Sequence, residues 1–121
     1  MTNEEFSIYF KNKTKSFAVA VIKYLEQLRD CATLRVIRYQ LIKSSTSTAA
    51  NYRAACRARS IAEFHSKISI SLEEADESLF WLEMIEDTGL DTLKNSPLKN
   101  LMKEATEIVS VLAKTRKNTK K

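Results

Sequence analysis

The side chains able to do chemistry are few and widely spaced. A single histidine, His65, has an alanine rather than a glutamate three positions before it, so the Glu-x-x-His pairs of a carboxylate-bridged di-iron bundle are missing. Glu73, Asp76, Glu77 and Glu83 therefore read as a solvated or salt-bridged acidic face, not as metal ligands. His65 sits near serines, but no nucleophile, base and orienting group stand together around it. Cys31 and Cys56 lie 25 positions apart without a Cys-x-x-Cys pair and read as reduced structural thiols. One glycine in 121 residues excludes a dinucleotide fingerprint, a P-loop and a nucleophile elbow, each of which needs at least two. The expectation is a protein that is not an enzyme and holds no cofactor or metal.

Arginine spacing is more suggestive. Arg35 with Arg38 and Arg53 with Arg57 are each one helical turn apart, with Lys43 between the pairs, so one helix can present a row of cations. Guanidinium groups offer planar forks of donors suited to phosphate. They suit carboxylates equally well, and Glu73, Asp76 and Glu77 are available as partners within or between subunits. Tyr39 and Tyr52 interleave with the row, although aromatic residues at this spacing usually belong to a core. Asn51 reads as a buried polar residue that fixes helix register. The segment 114–121, KTRKNTKK, has no residue to bury; it is expected to be disordered at its end and to contact phosphates through Lys114, Arg116, Lys117, Lys120 and Lys121.

The elements that must position these residues are helices, since turn formers are scarce and Ala, Leu, Lys and Glu abundant. Four are expected, over about 2–29, 33–58, 61–88 and 97–116. In the third, Ile61, Phe64, Ile68, Leu72, Ala75, Leu79 and Leu82 recur every three or four residues, Ser60 and Glu63 form a capping box, and Gly89 supplies a left-handed stop. Ser96-Pro97 is an N-cap and first helical residue for the fourth, which buries Leu98, Leu101, Ala105, Ile108 and Leu112. The first starts by pairing Thr2 with Glu5 and buries Phe6, Phe10, Phe17, Val21, Leu25 and Leu28. Ser44 to Thr48 interrupt the second with weak helix formers, yet Ser44, Thr48 and Tyr52 extend its inner face, and small side chains let a neighbour come close. The continuous helix is the reading adopted.

Long amphipathic helices with short links predict an all-α, antiparallel up-down-up-down four-helix bundle over 1–113. Its net charge of +5 is unevenly divided: residues 1–60 hold 11 basic and 4 acidic side chains, residues 61–113 hold 4 and 11, and the last eight add five cations. The first hairpin is basic and the second acidic, so they attract within a subunit or between subunits. Ile70, Phe80, Trp81 and Met84 lie off the main stripe of the third helix, which predicts a second contact surface and a homo-oligomer. No apolar run is long enough to span a bilayer, and MTNEEF is acidic where a secretory signal is basic, so a soluble cytoplasmic protein is expected.

The strings S-T-S-x-x-A-N-Y-R from Ser45, A-C-R-A-R-S from Ala55 and E-A-D-E-S-L-F-W-L-E from Glu74 carry a resemblance. Within residues 35–85, and more weakly over the rest, the chain resembles the bacterial four helix bundle protein family, also called the 23S rRNA intervening-sequence protein family. The resemblance implies a left-handed bundle assembling into a ring, commonly a pentamer, and a continuous second helix. It also connects to accessory proteins of diversity-generating retroelements, which bind reverse transcriptase and nucleic acid. Ser45 and Ala49 stand where the family often has glycine, and Ala54 where it often has glutamate. The function expected is binding of nucleic acid, RNA favoured, through Arg35, Arg38, Lys43, Arg53, Arg57 and the basic tail. A scaffold with no nucleic-acid role is the alternative, and Asn51, Arg57, Glu73, Asp76, Glu77 and Trp81 are the candidate interface residues.

Overall fold

The computed structural model describes residues 1–119, which form four helices: α1 Asn3–Glu26, α2 Ala32–Ala55, α3 Ile61–Thr88 and α4 Leu98–Asn118. Each packs on its sequence neighbour, most extensively α2 on α3, while α4 closes more loosely on α1. The result is the all-α four-helix bundle that the periodicity predicts.

Local chemistry sets the helix ends. Thr2 Oγ1 accepts from Glu5 N at 3.0 Å while Thr2 N donates to Glu5 Oε1 at 2.8 Å, a complete capping box. Ser60 Oγ accepts from Glu63 N at 3.0 Å and opens α3, and Gly89 closes it at φ 69°. The start of α2 is less ordinary: the Cys31 thiol accepts from Leu34 N at 3.4 Å. Cys56 sits at the other end of the same helix, so both thiols are free and too far apart to pair within a chain. The fourth helix begins one residue later than expected, with Pro97 as N-cap. Ser96 Oγ still accepts from Leu98 N at 3.1 Å.

The serine-rich part of α2 remains helical because its hydroxyls bond inside the bundle. Ser44, Ser45, Thr48, Ser71 and Ser78 are all buried. Ser78 Oγ donates to Ser44 Oγ at 2.9 Å and Ser71 Oγ to the Thr48 carbonyl at 2.8 Å, joining α2 to α3; Thr48 Oγ1 bonds the Ser44 carbonyl at 2.8 Å. Small side chains shorten the gap between helices, and each buried hydroxyl has a partner. This seam takes the register-fixing role expected of Asn51. That residue is only half-buried, and its amide stays within α2, donating to the Ser47 carbonyl at 2.9 Å and to Ser47 Oγ at 3.0 Å.

Two further expectations need correction. The centre of the α3 face is rotated from Ile61, Leu72 and Leu79 toward Ser71, Ser78 and Ile85; Ile61 is exposed and Leu72 and Leu79 half-buried. The fourth helix, expected to end near Arg116, runs two residues further, to Asn118. The helix persists because its end is anchored to α3: His65 Nδ1 donates to the Thr119 carbonyl at 2.7 Å, and Arg116 Nε to Ser69 Oγ at 2.8 Å. Lys120 and Lys121 lie outside the described residues.

Candidate nucleic-acid interface

Antiparallel order gathers the N-termini of α1 and α3 with the C-termini of α2 and α4 at one end of the bundle. Lys114, Arg116 and Lys117 are exposed there on the last turns of α4, and Arg57 and Arg59 are exposed on the link from α2 to α3. The two segments meet: Thr119 lines one cavity with Cys56, Arg59, Ser60, Ile61 and Phe64. Two of the carboxylates at this end are engaged in caps. Glu63 receives Arg59 at 3.8 Å and opens α3, and the backbone and hydroxyl of Thr2 hold the Glu5 carboxyl below its ordinary range. Glu4, in the first turn of α1, is exposed.

The second half of the expected arginine row faces a groove, to which Arg57 belongs as well as to the basic end. Arg53 and Arg57 line a groove of about 460 Å³ between α1 and α2, together with Lys11 and Lys15. Thr46, Ala49, Ala50, Ala18, Val19 and Ile22 make up most of the remaining wall, and no carboxylate lines it. The sequence reading missed Lys11 and Lys15. Their four-residue spacing was the available signal, but exposed lysines on an amphipathic helix are ordinary.

The first half of the row is paired with a carboxylate at the other end of the bundle. Arg35 reaches Asp30 with Nη2 at 3.0 Å and Arg38 with Nη1 at 3.4 Å, and Arg38 also donates to the Leu25 carbonyl at 3.5 Å. The hydrogen bonds from Arg35 lead in holding the Asp30 carboxyl below its usual range. These arginines close the α1–α2 turn at the far end of the molecule. Lys43 is exposed between the two groups, and Tyr39 is 64% exposed. Tyr52 is core: it meets Phe10 edge-on at 4.8 Å between centroids, and burial pushes its hydroxyl up to about 12.

The acidic residues of α3 do not meet the arginines of α2 within the subunit. Among the described residues, no ion pair engages Glu73, Glu74, Asp76, Glu77 or Glu83, and none engages Lys11, Lys15, Arg53 or Arg57. Trp81 is half-buried and its Nε1 donates to Glu77 Oε2 at 3.1 Å, which fixes that carboxylate on the outer flank of α3. No group of three or more His, Cys, Asp or Glu among the described residues is arranged to hold a metal ion.

At the opposite end lies a polar cluster the sequence did not disclose. Asp91 receives Tyr24 Oη at 2.5 Å, Leu93 N at 2.8 Å and the Ser96 hydroxyl, tying α1 to the α3–α4 link. Burial opposes ionisation of Asp91, but the bonds from Ser96, Tyr24 and the Leu93 amide outweigh it and hold the carboxyl below its ordinary value. Burial, followed by the bond to that carboxylate, raises Tyr24 well above a normal phenol. Tyr24 and Asp91 are 67 residues apart, which explains why no local signal marks them.

Comparison with known proteins adds the lineage. A family model described as 23S rRNA-intervening sequence protein matches residues 7–114. Among solved structures, the chain is similar to a protein of unknown function from the S23 ribosomal protein family of Bacteroides thetaiotaomicron, at 30% identity and a TM-score of 0.80 over 93% of this chain and 98% of that one. No curated protein matches it. In addition, no helix among the described residues is long and apolar enough to cross a membrane.

Proposed function

The chain belongs to the 23S rRNA-intervening sequence protein family, and on that premise we propose that it is a non-enzymatic, cytoplasmic protein that assembles into a homo-oligomeric ring, a pentamer, and binds RNA by electrostatics. The observation that carries the RNA reading is the basic end of the bundle. There Lys114, Arg116 and Lys117 are held on a helix anchored to α3 through His65 and Ser69, beside Arg57 and Arg59. A helical platform holds its cations at set positions, so less ordering entropy opposes phosphate contact than a free tail would meet. These groups are point charges and planar forks of N–H donors, which favours the phosphate backbone of folded RNA over sequence readout. Repetition around a ring multiplies weak contacts into avidity.

Fluorescence anisotropy with a hairpin RNA and a duplex DNA across a salt series tests this reading. Binding should be tight at low salt, fall steeply as salt rises, and depend little on sequence. Absence of binding at low salt overturns the RNA reading and leaves a protein scaffold in its place.

A further inference from the structure

The α1/α2 groove differs from the basic end in having an apolar floor. Ala18, Val19, Ile22 and Ala49 sit under Lys15 and Arg53, and a phosphate backbone cannot cover such a floor. A helix carrying both carboxylates and apolar side chains can. The outer stripe of α3 is of that kind. Ile70, Glu73, Glu77, Phe80 and Met84 follow one another at steps of three and four; Ile70 is 38% and Phe80 48% exposed. Phe80 meets Trp81 edge-on at 4.9 Å, and Trp81 in turn holds Glu77, so aromatic ring and carboxylate are presented together.

We propose that α3 of one copy docks into the α1/α2 groove of the next, with Glu73 and Glu77 against Lys15 and Arg53 and Phe80 on the apolar floor. Three observations support the pairing. Neither charge set has an ion-pair partner within the subunit. The lengths agree: Lys11 to Ile22 on the α1 wall of the groove spans about 16 Å and Ile70 to Phe80 about 15 Å at 1.5 Å per residue. The order also agrees, for along α1 the groove runs from cations, Lys11 and Lys15, to apolar residues, Val19 and Ile22. The stripe of α3 likewise runs from carboxylates to Phe80 and Met84, so the docked helix lies parallel to α1.

A groove meeting a different face is a heterologous contact, which repeats head to tail and closes as a ring when its rotation allows. The proposal rests on the homo-oligomer reading and supplies its contact. It also divides the cations between two tasks, with Lys15 and Arg53 paired by assembly and Lys114, Arg116 and Lys117 left for RNA.

Charge exchange tests it, with mass from light scattering and helix content from circular dichroism on each full-length variant. Lys15→Glu with Arg53→Glu should raise the concentration of half-dissociation by about 100-fold, as should Glu73→Lys with Glu77→Lys. All four substitutions in one chain should restore the wild-type mass. If either pair loses helix content, Phe80→Glu at its exposed position asks the same question, and it should dissociate the assembly. Wild-type mass in the helical variants overturns the groove contact while leaving the oligomer standing. Failure of the fourfold variant to reassemble overturns the pairing. A monomeric wild-type protein overturns the oligomer reading itself, and this contact with it.

Discussion

Lys11, Lys15, Arg53 and Arg57 stand over an apolar groove between two helices, whereas Lys114, Arg116 and Lys117 ride the exposed last turns of a third. The charge is alike and the ground beneath it is not. Over an apolar floor, cations favour a partner that removes that floor from water and matches charge at its rim. On an open helix end nothing is gained by covering, and the cations remain hydrated until counterion release on a polyanion rewards contact. Net charge is therefore a poor guide to function here; what lies between the charges is more informative.

The comparison can be broken most directly at the basic end. Replacing Lys114, Arg116 and Lys117 with alanine should weaken RNA binding by about 100-fold at low salt and flatten the log–log salt dependence by about three. Oligomer mass should not change. A fall in mass would show that the two regions are not separate, and an unchanged salt slope would move RNA to the groove.

The opposite end of the bundle sharpens the contrast, because its polar groups are committed to the fold. Asp91→Ala leaves Tyr24 and Ser96 without their acceptor and should cost about 2 kcal/mol in urea unfolding, with RNA affinity untouched. Tyr24→Phe removes one of those bonds and should cost about 1 kcal/mol.

The same cluster makes stability depend on pH at both extremes. Because folding lowers the Asp91 carboxyl, its contribution is complete above the ordinary carboxylate range near pH 4 and is lost as pH falls through the folded value. Because folding raises Tyr24, its contribution is complete below about pH 10 and is lost as pH rises further. Thermal melts should therefore show an acid limb that shrinks in Asp91→Ala and an alkaline limb that shrinks in Tyr24→Phe.

The smallest effect belongs to the arginines that looked most like a phosphate track. Arg35→Gln breaks an exposed pair with Asp30, and exposed pairs contribute little. Melting temperature, mass and RNA affinity should all stay within error of wild type. A clear loss of RNA affinity would return the α1–α2 turn to the binding surface.

Much of the fold was legible because its signals are local. Ser60 and Glu63 open α3 and Gly89 closes it within a few residues of backbone, and the five buried positions of α4 repeat as one face. The serine seam was half legible: Ser44 and Thr48 continue an inner face, but nothing in α3 alone shows that Ser71 and Ser78 oppose them. The last two residues of α4 were not foreseen, since a segment with nothing to bury gives no packing signal. Its anchors, His65 and Ser69, lie about 50 positions earlier in the chain.

By itself, then, the sequence determined four amphipathic helices and a chain divided into basic, acidic and basic parts, because capping, propensity and periodic burial act between residues a few positions apart. Only the tertiary structure decided which charges share a surface. Helix azimuth and register place Lys15 beside Arg53, turn Glu77 away from both, and bring Arg116 back to Ser69. Those angles are set by packing across the core, and a solvated lysine or arginine carries no periodic mark of the neighbour it will face.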